Sequence, residues 1–271
     1  METYRLKRIV LIVLVLVNLS LLYVLRSNDL QGHRRQENEY AQLRELYAAH
    51  GIDLRTERSA PTETADSATV IRSDAAERNF VAAFLGDALL CREEGSATDY
   101  TAPDGGTARL RRNGSLTLSC ETPTMDAETA RDVLADFGYV LGTSVSADGS
   151  YTAARVIEGR TVLGADLTLA FGEKGLTRIE GYYVNSIQEG EQLTSASPTD
   201  ALARFLRFVL ENKLSCQSVE DIRPAWLFSS ATLFQSSLSP AWLIFADGEQ
   251  YYVNVLTQEV APVTPSADTG I

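Results

Sequence analysis

The stretch "GADLTLAFGEKGLTRIEGYY", Gly164 to Tyr183, decides how the folded part is read. Leu167, Leu169 and Phe171 alternate with Asp166, Thr168 and Ala170. A period of two sends one set to each face of a pleated strand, which marks a half-buried sheet. "GEKGL" then reads as a hairpin turn and "LTRIEGYYV" as the returning strand. Upstream, "YTAARVIEG" is a further strand and "EGRTV" its turn. In front of these, "TPTMDAETARDVLADFGY" places Thr124 as N-cap of a helix from Ala127 to Phe137, stopped by Gly138.

The same order recurs towards the C-terminus. "SPTDALARFLRFVLENKL" reads as a helix with Ser197 as N-cap, Pro198 at N1 and Asp200 at N3. Leu202, Phe205, Leu206, Val209 and Leu210 form its wide apolar face. Strands "SVEDIRPAWLF", "SPAWLIFADG" and "EQYYVNVLTQEV" follow, the last two joined by "ADGEQ". Earlier, Ser73 or Asp74 caps a helix "AAERNFVAAFLGD", and "ALLCREE", "TDYTA", "TARLRR" and "SLTLSC" are strand-like, separated by "PDGG" and "NG". The expected class is α+β, with helices on one face of antiparallel strands. The units are 73–120, 121–190 and 191–262, the first a looser copy, with a tail at 263–271.

The N-terminal part differs. "IVLIVLVLVNLSLLYVL", Ile9 to Leu25, carries no charge and follows a basic tail, residues 1–8. No small-residue cleavage signal follows it, and Tyr23 and Arg26 suit a membrane interface. It reads as a retained signal-anchor, near the ~20 residues a span needs. The basic tail stays inside and the long remainder lies outside the cytoplasm. Asn18 and Ser20 within the span either satisfy themselves locally or hydrogen-bond a neighbouring transmembrane helix. Residues 26–51 form a juxtamembrane helix with Tyr40, Leu43 and Tyr47 on one stripe and Gly51 as its stop. Residues 52–72, rich in Ser, Thr and Ala, read as a linker.

The net charge is −12. Arg5, Lys7 and Arg8 against Glu2 leave the first 25 residues basic, so the remainder is more acidic than the total. Nucleic acid, which needs a basic face, is excluded as a partner. Arg109, Arg111 and Arg112, beside the "RRNGSL" turn, are the one dense basic patch, read as a solvated hairpin edge. The only histidines, His33 and His50, lie near the membrane, so neither a Cys/His metal site nor a Ser-His pair is expected. Cys91, Cys120 and Cys216 are free thiols or contain one disulfide. The acid pairs Glu93–Glu94 and Glu220–Asp221 are expected by chance in so acidic a chain. "NGS" at Asn113 has the form of a glycosylation acceptor. No catalytic, metal or cofactor residues are expected. Trp226 and Trp242, in "PAWLF" and "PAWLIF", either pack in the core or line a binding groove.

Some of these residues resemble a known family. The span ending "VNLSLLYVL" resembles the anchor of the YycH/YycI regulatory proteins, YycI above all. "GADLTLAFGEKGLTRIEGYY" and "LSPAWLIFADGEQYYVNVLTQEV" are similar to that family's C-terminal units, and the second also resembles PepSY-like units. The resemblance implies a bitopic protein of the bacterial plasma membrane that modulates a sensor histidine kinase governing cell-wall metabolism. The implied partners are that kinase, a YycH-like paralogue, or a second copy in a dimer. Asn18, Ser20 and Tyr23 are then the residues expected to face a partner in the membrane. PepSY-like units imply an alternative: an extracellular module that binds peptides or inhibits peptidases.

Overall fold

The structure is a computed structural model and describes residues 38–56, 67–122, 125–146, 149–190, 197–230 and 236–263. The chain divides into two units after Leu54. In the first, residues 38–49 form helix α1. It closes at Gly51, whose φ of 76° no side chain opposes. The Gly51 and Ile52 N–H groups donate to Ala48 O and Tyr47 O, both at 3.0 Å. That is a Schellman closure, as the Gly51 stop anticipates. A two-residue strand, β1 (Asp53–Leu54), follows.

The second unit repeats one order three times: a helix, then four antiparallel strands. The first set is α2 (Asp74–Leu85), β3 (Leu90–Glu94), β4 (Ala97–Thr101), β5 (Thr107–Arg111) and β6 (Ser115–Ser119), preceded by β2 (Ala68–Ile71). The second is α3 (Ala127–Asp136), β7 (Tyr139–Val145), β8 (Ser150–Ile157), β9 (Arg160–Gly172) and β10 (Gly175–Tyr182), followed by β11 (Ser186–Glu189). The third is α4 (Pro198–Glu211), β12 (Ser218–Ser229), β13 (Ser237–Ala246), β14 (Glu249–Asn254) and β15 (Val260–Pro262).

Local chemistry sets these boundaries. Ser73 caps α2 by accepting from Ala76 N at 3.4 Å. Ser197 and Asp200 make a reciprocal capping box at α4 with Pro198 at N1. The cap of α3 is Asp126, which accepts from Thr129 N at 2.8 Å; the expected Thr124 lies outside the described residues. A carboxylate one residue before the helix serves better than a hydroxyl further out, because its charge also favours the N-terminal dipole. The "EGRTV" and "ADGEQ" turns hold two successive positive-φ residues, Glu158 (51°) with Gly159 (77°) and Asp247 (50°) with Gly248 (79°). Type I′ turns have this form, and it matches the strand twist.

The first two sets join through their last strands, β6 and β10, paired antiparallel from Ser119–Arg178 to Ser115–Tyr182. The order β3-β4-β5-β6-β10-β9-β8-β7 therefore reads the same outward from the middle, as for two like units about a local twofold. α2 and α3 lie over one face. Phe80 and Leu134 from the helices and Leu110, Leu118, Leu167 and Ile179 from the strands are all at 0% exposure in one core. Each such side chain contributes roughly 1.5–3 kcal/mol by burial. Leu167 and Leu169 are buried and Phe171 packs against the same core, so the alternation in the opening stretch does face inward.

The third set docks differently. Thr161–Leu163 of β9 pair in parallel with Ala225–Leu227 of β12, while β9 beyond Leu167 pairs with β10. The switch occurs at Gly164, with φ +80°. Along β8, the step from Ala153 to Arg155 faces the step from Leu167 back to Val162, so β9 bulges there. On the other flank, β13 switches from β2 (Ser237–Leu238) to β14 (Ala241–Ala246). α4 lies on β13, β14 and β15, with Phe205 5.1 Å and Phe208 6.2 Å from the Tyr251 ring. The result is a mixed α/β fold with a large, antiparallel-rich sheet. One correction concerns the linker 52–72: its residues Ala68–Ile71 are strand β2, between β11 and β13. β7 and β11 are also strands that the sequence pattern did not announce.

Candidate functional site

Two places concentrate polar groups. The first is interior, at the fork in the sheet beside Gly164. Arg155 on β8 is 9% exposed and forms no ion pair with a carboxylate among the described residues. Its guanidinium donates to backbone carbonyls instead: Val184 O at 2.8 Å, Phe137 O at 2.5 Å, Val156 O at 3.2 Å and Asn185 O at 2.9 Å. It also lies 5.3 Å from the Tyr139 ring centroid. The Tyr139 hydroxyl donates to Tyr182 O and accepts from Val184 N, each at 3.0 Å. Gly138 is required there, since a Cβ would stand 1.9 Å from Arg155 Nη1. Burial pulls Arg155 below its ordinary pKa and pushes Tyr139 up. Nearby, burial raises the Asp166 carboxyl to about 6. These groups pin residues 182–185, where the chain leaves the second set, so their chemistry is spent on the fold.

The second is a cleft of about 580 Å³ at the surface. Its walls come from the β2–α2 junction, the β3–β4 hairpin tip and the β5–β6 turn. Arg72 is held there by two bonds to Glu77, whose side chain is 3% exposed. That pairing raises the Arg72 pKa. The hairpins interlock through Arg112 N donating to Ser96 O at 2.8 Å. Ser236 Oγ donates to Asn113 O at 3.0 Å and ties down the β5–β6 turn. Asp74, Glu93 and Arg112 also line the cleft, and no hydrogen bond or ion pair holds their side chains among the described residues.

The residues singled out from the sequence fall as follows. Asn18, Ser20 and Tyr23 lie outside the described residues, as does the whole Ile9–Leu25 stretch. Among the described residues no helix is long and apolar enough to cross a membrane. Trp226 and Trp242 are each 3% exposed, so they are buried side chains and not the walls of an open groove. They lie diagonally on one face of the β12–β13 pair, opposite Pro240 and Pro224. Trp226 packs with Val162, Phe228 and Leu238, and its Nε1 has no hydrogen-bond partner among the described residues.

The basic patch is divided: Arg109 meets Asp99 across the strands at 3.5 Å, while Arg112 enters the cleft. The acid pairs are divided too. Glu93 lines the cleft, Glu220 accepts from Ser218 Oγ at 2.7 Å, and Asp221 pairs with Arg223 at 2.6 Å. Asn113 is 8% exposed and its Oδ1 accepts from Ser115 N, so its amide is not presented as a glycan acceptor. Cys91, Cys120 and Cys216 are free thiols. Among the described residues no group of three or more His, Cys, Asp or Glu stands ready for a metal. The sequence signal that could have marked the cleft was the basic run before "NG", with Arg72 and Asp74 flanking the α2 cap.

No family model matches the chain, and no curated protein matches it. Several solved structures are similar in outline, among them the following two. A crystal structure of an uncharacterized protein from Eubacterium rectale has a TM-score of 0.44 at 11% identity, covering 78% of this chain and 85% of that one. The Bacillus megaterium YpeB C-terminal domain has a TM-score of 0.33 at 12% identity, covering 72% and 99%. Likenesses at this level carry no argument about activity.

Proposed function

We propose that the chain is a membrane-anchored interaction protein acting outside the cytoplasm without catalysis. Ile9–Leu25 is its span in the bacterial plasma membrane. The partner is a sensor histidine kinase of a cell-wall two-component system, met through Asn18, Ser20 and Tyr23 and through the ectodomain. The observation that carries an interaction role is the set of sheet edges. β3, β7, β11 and β15 each have one neighbour among the described strands. Every residue of β3 is exposed, with Leu90 at 76%, and β7 shows Val140 at 60%. An open edge is a template for a strand from another chain, and exposed apolar side chains on it add contact area.

Crosslinking in the native membrane tests this. The full chain should capture a histidine kinase, and Asn18→Leu with Ser20→Leu should weaken that capture. Unchanged capture in the double variant would remove the span from the mechanism.

The cleft favours a second reading, a PepSY-like module that captures peptide outside the cell. Its polar, mixed-charge walls suit a peptide ligand. On this reading the span variants leave binding unchanged.

A further inference from the structure

The cleft beside β2 carries a more specific assignment, which rests on the peptide-binding reading. Its ionic groups fall into two kinds. Arg72 and Glu77 neutralise each other through a double contact, so that pair adds rigidity and little net charge. Arg112, Asp74 and Glu93 are different. They carry opposite charges and line one cleft, yet no ion pair joins them among the described residues. The three residues sit on three separate elements: Arg112 opens the turn after β5, Asp74 begins α2 and Glu93 is on β3. Arg112 is fixed at its backbone by the bond to Ser96 O, and Asp74 by its place behind the Ser73 cap. The scaffold thus fixes the Arg112 and Asp74 backbones, while all three side chains face solvent.

Unpaired opposite charges in one cleft are matched by a ligand that carries both signs at its own two ends. In the same cleft, Val70, Ile71 and Ala97 supply apolar surface, and Ile71 is 41% exposed. The volume, about 580 Å³, falls within the roughly 300–1,000 Å³ of small-ligand sites.

We infer that this cleft binds a short zwitterionic peptide, its carboxylate on Arg112 and its ammonium between Asp74 and Glu93. The guanidinium fork suits a carboxylate in two-point contact. Two carboxylates around one ammonium fix its position and disfavour ligands blocked at the amine. The aliphatic wall takes the side chain between the ends.

The test uses the full chain in detergent and three probes in titration calorimetry: trialanine, N-acetyl-trialanine and trialanine amide. Trialanine should bind, and each blocked form should bind about tenfold more weakly, the loss of one charge-assisted contact. Arg112→Gln should weaken trialanine by the same factor and leave it level with the amide. Asp74→Asn with Glu93→Gln should erase the preference over the acetylated form. These residues are solvent-facing, so the variants keep the fold, which the native tryptophan emission verifies. The assignment is overturned if trialanine fails to bind at millimolar concentration, or if Arg112→Gln leaves the acid–amide preference intact. A longer peptide library separates the two levels. Capture of long peptides with no response to trialanine removes this assignment and keeps the peptide-binding reading. No capture of either removes both.

Discussion

Asp166 offers a quantitative test of the sheet fork. It lies on β9 two residues after the Gly164 kink, half-buried, and burial lifts its carboxyl from 3.8 to about 6. In the unfolded chain an aspartate titrates near ~3.9. The folded state therefore holds the proton more tightly than the unfolded state. Below the unfolded value, Asp166 is neutral in both and exacts no penalty. As pH rises from about 4 through about 6, stability is lost, and above that the full cost of a half-buried carboxylate remains. A shift of about two units corresponds to ~3 kcal/mol, which residual solvent screening reduces to ~2 kcal/mol. Asp166→Asn keeps the shape and removes the charge. At about pH 7.5 the variant should be ~2 kcal/mol more stable, or about 4–8 °C in Tm, and at about pH 4 the two should coincide. Trp226 and Trp242 are the only tryptophans and both are buried, so urea unfolding can be followed by their emission. A difference of the same size at both pH values, or an asparagine variant less stable at neutral pH, would show that Asp166 is stabilised by a partner and not penalised by burial.

Other perturbations follow from the packing. Arg155→Leu leaves buried carbonyls without a donor and should cost ~3 kcal/mol or more, with Arg155→Lys only partly restoring it, as read by urea midpoint. Gly181→Ala puts a Cβ 2.1 Å from Asp166 O at φ +138°, so the β9–β10 pair cannot close; loss of soluble, folded protein is the expected readout. Trp226→Phe removes an indole N–H that has no partner, so its cost should stay below ~1 kcal/mol, whereas Trp226→Ala should cost ~3–5 kcal/mol. Acrylamide should quench native tryptophan emission poorly, since both indoles are buried; ready quenching would restore the groove reading.

What was legible in the sequence was local chemistry. The Ser197–Asp200 box, the Gly51 stop, the Asp-Gly turn and the alternation from Leu167 to Phe171 each depend on residues a few positions apart. What was not legible depends on partners far along the chain. "ATVI" in β2 is a short apolar run among Ser, Thr and Asp, and only β11 and β13 make it a strand. β7 carries Gly142 and a Ser-Thr stretch, which blurs its period of two, although Tyr139 and Leu141 are buried on one face. The kink at Gly164 could not be inferred, because a glycine in a strand marks a bulge without saying which strand lies beyond it. The cleft was hidden for the same reason: Arg112 and Asp74 are remote in sequence and come to line one cleft only when the hairpins stack on the β2–α2 junction.

The pairing of β2 has a consequence for how the chain is made. β2 leaves the ribosome early, but β13, which supplies part of its ladder, is among the last strands synthesised. Until then its Ala68 and Thr69 lack that neighbour, and the edge stays open to any passing strand. A chain that stops short of β13 cannot seal this edge however well its first two sets have folded.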